Sequence, residues 1–337
     1  MHQGKKYCNV PFVFFVLLLS LLCSCTQNIF PSAPASSEVS ITTYNLQTFF
    51  DAKTLGTEYD EFKGSKSSWS EEKYTARLNR LCSIIESIDS DIFVFQEIEN
   101  SSVIVDIYNY LKPLSGFTRS FSYAVFVPSR DGVLGCAVLS RYPILSCTAH
   151  QIDIRLNSSS MCDTRPLFEV SIHCGFTSPL VVYAGHWKSK SGDGAESAVI
   201  RKAQEEILCT RIAQLGHGLF IFCGDCNKDI KEFNCSGENV ILSSPLFLSS
   251  IPGTGVNVFS PWLSLMNENP DGSYYYKGAW EKIDHFFAGS AVSVRSFTRI
   301  TDGSHVDEKK IPVRYTVWNG QGYSDHLPLT CIISEKK

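Results

Sequence analysis

Apolar residues in this chain come in short runs that stop abruptly at polar side chains. Ile92-Phe93-Val94-Phe95 is an unbroken run followed by Gln96 and Glu97, the pattern of a strand buried on both faces. Comparable runs predict strands over residues 39–46, 123–127, 135–140, 167–173, 180–184, 219–223, 283–287, 292–296 and 329–333. Other stretches carry a helical period. Between residues 71 and 89, Tyr74, Leu78, Leu81, Ile84, Ile85 and Ile88 recur at i, i+3 and i+4, with Ser68 and Ser70 available as N-caps. Residues 195–215 carry Val199, Ala203, Ile207, Ile212 and Leu215 along one helix, and residues 103–111 form a shorter one. Residues 51–69 read as a polar loop, Asp131-Gly132 as a turn, and residues 243–270, rich in Ser, Pro, Gly and Asn, as a long surface excursion. No internal repeat is visible. Strands mixed with long helices imply α/β layers.

The first residues follow a different rule. Lys5 and Lys6 precede an apolar stretch over residues 12–22, and small or sulfur residues follow. That is the order of a secretory signal, and the stretch is too short to span a bilayer as a helix. Leu22-Cys23-Ser24-Cys25 looks like a bacterial lipobox with Cys25 as the acylated residue; an ordinary cleaved signal is the alternative. The expected organisation is a signal peptide over residues 1–24, a flexible Ser-, Pro- and Ala-rich tether over residues 25–38, and one domain over residues 39–337. About 300 residues suffice for one large α/β domain with a substantial core. The expected location is outside the cytoplasm, on the periplasmic or cell-surface side of a membrane, or secreted if Cys25 is not lipidated.

Charge narrows the partners. Loss of residues 1–24 removes two lysines and no acids, so a formal charge of −4 becomes −6. A mildly acidic protein argues against the strong non-specific DNA affinity that comes from counterion release by Lys and Arg, with a local basic patch as the alternative. Cys136, Cys174, Cys223 and Cys331 lie in strand-like runs, and Cys82 and Cys209 on helical stretches, which reads as buried reduced cysteine. Cys223-Gly224-Asp225-Cys226 has a CxxC spacing, but no second ligand pair with zinc spacing accompanies it.

The residues that end the apolar runs are of a restricted kind: Asn45, Glu97, His186, Asp225 with Asn227, Asp284, and Asp325 with His326. Oxygen ligands hold a hard cation, an imidazole moves a proton, and amides stabilise developing charge, as phosphoryl transfer requires. A carboxylate at Glu97, after a buried run, is costly unless it is paired or binds a cation. A structural ion pair is the alternative there. Asp225 and Asn227 point to one face if the chain is still extended; an Asx-turn is the alternative. His326 has the near-neutral intrinsic pKa of a proton-transfer group. His285, beside Asp284, falls on the opposite face of its strand.

The order of these motifs resembles the endonuclease/exonuclease/phosphatase superfamily over nearly all of the chain after residue 40. A bacterial branch of it is similar through Asn45-Leu46, Phe50-Asp51, Asp60-Glu61-Phe62, Trp69, His186-Trp187-Lys188-Ser189-Lys190, Tyr276-Lys277-Gly278-Ala279-Trp280 and Tyr323-Ser324-Asp325-His326. The resemblance implies a four-layer sandwich, two packed mixed β-sheets flanked by helices on both outer faces, with the site at one end. It implies Glu97 as principal magnesium ligand, Asn45 positioning metal and phosphate, and Asp325 near the metal. It also implies His186 on the scissile phosphate, Asp284 orienting His326, and Arg165 touching phosphate. Lys188, Lys190 and Arg201 add positive charge or are ordinary surface cations. Tyr274, Tyr275, Tyr276 and Trp280 stack on a base or sugar, or pack in the fold. The cofactor expected is Mg²⁺, with Mn²⁺ or Ca²⁺ as substitutes.

Two departures from the family pattern stand out: Ala184 and Gly185 where relatives carry an Asn, and Cys226 where an aromatic is common. The function expected is an exported, membrane-tethered, metal-dependent phosphodiesterase, a nuclease acting as a monomer on nucleic acid. Rivals are a phosphatase or sphingomyelinase-like phospholipid phosphodiesterase, and an inert surface-binding lipoprotein on the same fold.

The leader makes the first prediction. Residues 1–24 are removed and Cys25 carries lipid, which intact-mass spectrometry of the native protein reads directly; an unmodified Cys25 or a retained leader overturns it.

Overall fold

The computed structural model describes residues 38–337 apart from 64–65, 113–120, 131, 156–161, 163, 191, 193, 217, 246–254 and 265–270. Cys25, the leader, the tether up to residue 37, Asp131 and parts of the 243–270 segment therefore lie outside the described residues.

The strands are β1 (Val39–Phe49), β2 (Ile92–Ile98), β3 (Tyr123–Val127), β4 (Gly135–Ser140), β5 (Ile144–His150), β6 (Leu167–Ile172), β7 (Leu180–His186) and β8 (Phe220–Asp225). They continue as β9 (Asn234–Ser236), β10 (Asn239–Ser243), β11 (Gly255–Phe259), β12 (Tyr274–Tyr276), β13 (Ala279–Glu281), β14 (Asp284–Ala288), β15 (Val292–Arg299) and β16 (Leu329–Glu335). The helices are α1 (Glu71–Ile88), α2 (Ser101–Leu111) and α3 (Gly194–Leu215). One sheet has six strands in the order β15-β16-β1-β2-β4-β3; the other has eight in the order β5-β6-β7-β8-β14-β11-β10-β9. Parallel pairs, β1 with β2 and β7 with β8, sit inside each sheet.

Alternation along β2 separates the layers. Ile92 and Val94 join the core shared with Val170, Val182 and Ile221 of the second sheet, whereas Phe93 and Phe95 join Leu78, Leu81, Ile85, Val103 and Ile107 of α1 and α2. Successive strand side chains point to opposite faces, so one continuous apolar run serves two interfaces. On the far side, Leu208 and Ile212 of α3 pack into the core of the eight-stranded sheet. This is the expected four-layer sandwich. Ser70 caps α1, its hydroxyl accepting from Lys73 N at 3.3 Å.

Two expectations change. Strand β5 carries mostly exposed residues along an edge of its sheet, so it lacks the apolar run that marks the others. The 243–270 segment is no simple excursion: β11 pairs with β10 and β14, and Val258 and Trp262 are buried. The Trp262 indole N–H donates to Asp284 O at 2.8 Å, which ties this segment to the strand bearing Asp284. Composition misread it because its Gly and Ser punctuate short strands. The ten cysteines from Cys82 onward are free thiols, and the six expected to be buried are buried.

At the centre of the second sheet β7 and β8 approach closely at Gly185 and Gly224. A Cβ on Gly224, where φ is +147°, would lie 2.0 Å from Gly185 O. A Cβ on Gly185 would meet the Phe222 ring at 2.9 Å, so an aromatic fills the space beside this glycine. Gly224→Ala is expected to lower stability by on the order of 3 kcal/mol or more, from left-handed strain and overpacking together. Gly237→Ala, at positive φ but with nothing within 4 Å, is expected to lose only about 1 kcal/mol. Urea midpoints of the two variants check the contrast; equal losses would refute the close-approach argument.

Candidate active site

Five strands deliver the polar residues to one end of the sandwich. Asn45 from β1 donates through Nδ2 to Asp225 Oδ2 of β8 at 2.9 Å and to Glu97 Oε1 of β2 at 3.3 Å. His186, the last residue of β7, places Nε2 at 3.5 Å from Asp225 Oδ2 and 3.7 Å from Glu97 Oε1. Asp284, first residue of β14, is paired in register with Asp225. His326 closes the group: its Nδ1 is 2.8 Å from Asp284 Oδ2 and its Nε2 is 3.9 Å from Asp225 Oδ2.

Glu97 reaches this centre through a backbone irregularity. The pairing of β2 shifts register on both sides of it, and its φ is +64°. A bulge re-aims a side chain that a regular strand would point elsewhere. Its carboxylate accepts from Thr48 N at 2.6 Å. Gln47 and Thr48 are also left-handed, at φ of 49° and 52°, and non-glycine residues adopt that region only when the surroundings enforce it. The enforcer is Arg77 of α1, fully buried, whose guanidinium donates to the carbonyls of Leu46 at 2.7 Å, Gln47 at 2.5 Å and Thr48 at 3.0 Å. It also stacks over Tyr315 at 3.7 Å. Arg77 sits on the apolar face of α1 between Tyr74 and Leu78. A charge at a core position was a signal available in the sequence and not used.

Asp225 and Asn227 do not share an extended face. Strand β8 ends at Asp225 and Asn227 turns left-handed at φ 46°. Asn227 N donates to Asp225 Oδ1 at 2.8 Å, an Asx-turn, while its Nδ2 donates to Trp187 O at 3.1 Å. The turn therefore serves the site, holding one carboxylate oxygen while Asn45 holds the other. Ser273 and Ser324 were not singled out. Ser273 Oγ donates to Asp284 Oδ2 at 2.6 Å, and Ser324 Oγ donates to Asn45 O at 2.6 Å and accepts from His326 N at 3.1 Å. Tyr274 packs on the His326 ring at 4.7 Å and Tyr275 on Trp280 at 5.0 Å.

The remaining cations divide. Arg165 donates through Nε to Leu134 O at 3.4 Å, and its charge acts on His186. Lys188 is held by its main chain, N donating to Gln204 Oε1 at 2.7 Å and O accepting from Arg201 Nη1 at 3.0 Å. Lys190 pairs with Glu232 at 3.0 Å and Glu281 at 3.3 Å, so its charge is locally neutralised. Asp325 lies 4.0 Å from His326 Nε2 and 3.9 Å from Arg314 Nε. As expected, His285 faces the other way, with Nε2 at 2.8 Å from Lys228 O, and burial pulls its pKa down to about 4.

Burial and the Asp284 charge push the Asp225 carboxyl well above the usual carboxylate range. Burial alone would favour a neutral His326 ring, but the charge and hydrogen bond of Asp284 outweigh it and raise the pKa to about 10. Burial, then the cations Arg165 and His326, hold His186 well below the usual range and keep it neutral. Asp225, Asp284 and His326 also converge closely enough to hold an ion. Asp284 Oδ2 and His326 Nδ1 already bond each other, however, so this trio is built for protons. Glu97 and Asp325 offer hard carboxylate oxygens instead; Asn45, expected among the metal ligands, is not one, because its Nδ2 faces Glu97 and Asp225 while its Oδ1 accepts from Gln47 N at 2.9 Å. Cys223 and Cys226 are both buried, and burial pushes their thiols well up, as suits reduced core cysteine. A cavity of about 720 Å³ between α1 and α2 is lined by none of the converging residues.

The model of the endonuclease/exonuclease/phosphatase family matches residues 42–326. The chain belongs to that family. Its members are phosphoric ester hydrolases that depend on a divalent metal, and the carboxylates of Glu97 and Asp225, drawn together around His186, fit that dependence. Among solved structures, truncated TDP2 from Caenorhabditis elegans is similar at 15% identity and TM-score 0.55, covering 88% of this chain and 98% of that one. A family protein from Bacteroides thetaiotaomicron is similar at 16% identity and TM-score 0.55, covering 89% and 98%. The catalytic domain of human nocturnin, with bound sulfate, is similar at 17% identity and TM-score 0.52, covering 89% and 95%. At these identities the likeness is one of fold. No curated protein sequence matches the chain.

The Asp284–His326 pair generates a prediction in pH. A raised His326 pKa stabilises the fold below about pH 6.5 and loses that contribution as pH rises through about 10. In metal-free protein the His326 ring should stay protonated at pH 8, and in Asp284→Asn its titration should move down by more than one unit. NMR titration of the ring carbons reads this; an unmoved midpoint rules out Asp284 as the source of the shift.

Proposed function

We propose that this protein is an exported, membrane-tethered, divalent-metal-dependent phosphodiesterase of the nuclease type. The observation that carries the reading is the convergence of Asn45, Glu97, His186, Asp225, Asp284 and His326 within hydrogen-bond and ion-pair reach at one end of the two sheets. Glu97 and Asp325 would hold the cation, with Asn45 Nδ2 positioning Glu97 Oε1; the cation supplies charge neutralisation at the phosphoryl oxygens when bound. Asp225, its oxygens fixed by Asn45 and the Asn227 N–H, orients the attacking water and accepts its proton. His326, kept protonated by Asp284, presents a positive charge and a proton beside it. His186, neutral and buried, donates to a phosphoryl oxygen, with Asn227 and Arg165 adding to the stabilisation of the transition state.

A second reading, a phosphatase or a phospholipid phosphodiesterase, is favoured by the net charge of −4 and by the pairing of Lys190 with two acids. Both leave little positive surface for a long duplex. The tether rests on Leu22-Cys23-Ser24-Cys25. Among the described residues no helix is long and apolar enough to cross a membrane.

The test is hydrolysis by the mature protein in magnesium and in EDTA, across supercoiled plasmid, abasic duplex, sphingomyelin and inositol phosphates. Magnesium-dependent turnover of a nucleic acid supports the nuclease reading; turnover of sphingomyelin or inositol phosphates alone transfers it to the second. Glu97→Gln should fold, weaken magnesium binding and lose nearly all turnover, and His326→Ala should lose ~10²–10⁴-fold. No turnover of any substrate would revive the inert surface-binding lipoprotein.

A further inference from the structure

Beside the site runs a groove of about 480 Å³ that the mechanism above does not use. Gln47 and Thr48 line it beside the centre, with Arg314, Val317 and Trp318; two acids, Asp60 and Glu61, and a second cation, Lys66, line it too. That volume lies within the ~300–1,000 Å³ of small-ligand sites. The groove joins the catalytic centre directly, since Thr48 N holds the Glu97 carboxylate. The Trp318 indole has 76% exposure, a large apolar surface left in water.

The Trp318 loop is held rigidly. Gln47 forms a two-point amide pair with Tyr315, donating through Nε2 to Tyr315 O at 3.0 Å and accepting through Oε1 from Tyr315 N at 2.9 Å. Lys73 Nζ donates to Val317 O at 2.8 Å and Trp318 O at 2.9 Å, and Arg80 Nη2 to Gly320 O at 2.8 Å. Gly320 N closes the turn on Thr316 O at 2.9 Å. The backbone is thus fixed while the side chain is exposed, the preorganisation expected of a recognition element. Arg314 also lines the groove, its Nε 3.9 Å from Asp325 Oδ2.

We propose that this groove binds the nucleotide flanking the scissile phosphate of a single-stranded nucleic acid, with its base stacked on Trp318 and the next phosphate facing Arg314. The assignment rests on the phosphodiesterase reading and names its substrate class. An exposed aromatic beside a cation suits a single strand, whose bases are free to stack whatever their sequence, and a guanidinium matches phosphate oxygens. A duplex hides its base faces and gains little from such a platform.

The test measures binding of a fluorescein-labelled phosphorothioate oligothymidylate, resistant to cleavage, to the full chain in magnesium. Trp318→Ala should weaken it about fivefold or more, the loss typical of one stacked base, and Trp318→Phe should recover most of that loss. Arg314→Gln should weaken binding and flatten its salt dependence. In a parallel arm, phosphatidylcholine vesicles should leave the Trp318 contribution to emission, wild type minus Trp318→Phe, in place. Equal oligonucleotide affinity in Trp318→Ala overturns the assignment, as does absence of binding by the wild type. A vesicle-induced blue shift carried by Trp318, without an oligonucleotide effect, overturns it in favour of a lipid surface. Hydrolysis of bis(p-nitrophenyl) phosphate by the wild type, assayed alongside, keeps the two claims separate: with turnover but no oligonucleotide binding, only the groove assignment falls.

Discussion

A carboxylate with 1% exposure, Asp225, sits at the seam between the two sheets, and the amide that holds it, Asn45, comes from the opposite sheet. Burying a charge costs several kcal/mol unless hydrogen bonds and counter-charges satisfy it. Here the compensation arrives from Asn45, the Asn227 N–H and the His326 ring. The relative placement of β1 and β8 is therefore set by a polar contact embedded in an apolar interface. Once β8 is placed, register brings Asp284 opposite Asp225 and so positions His326. The glycines at 185 and 224 let the strands meet closely enough for this.

Arg77 does comparable work outside the site. A guanidinium with no exposed face hydrogen-bonds carbonyls that a left-handed turn would otherwise leave without partners. Burial pulls its pKa down to about 10, still far above neutrality, so it remains charged. Its stack on Tyr315 links α1 to the loop carrying Arg314 and Trp318, and the turn it enforces aims Thr48 N at Glu97. Catalytic edge, helix and groove thus share one support.

The apolar runs gave away most of the strands, because strands buried on both faces leave unbroken signals, and the polar residues that end them marked the site. What was hidden has physical reasons. Strand β5 is exposed along an edge, and the strands of residues 234–259 are short and interrupted by turn residues, so neither leaves a periodic trace. Spacing alone suggested that Asp225 and Asn227 face one way, but the chain leaves the extended conformation between them. Ser273 could not be found at all, since a serine in a Gly- and Ser-rich stretch becomes a partner of Asp284 only through tertiary packing. Arg77 and Ser324 were within reach, one as a charge on an apolar helix face, the other inside a recognised motif.

The pairing of β16 with β1 has a consequence for the order in which the molecule is made. Leu329–Glu335 lies against Val39–Phe49, so nearly the longest loop closure the domain can make lies within one sheet. Such non-local pairing is slow to form. His326 precedes that last strand by three residues. The other members of the centre, Asn45, Glu97, His186, Asp225 and Asp284, all come from strands earlier in the sequence or at their edges. The Asp284–His326 pair thus depends on the slowest, most non-local closure of the six-stranded sheet.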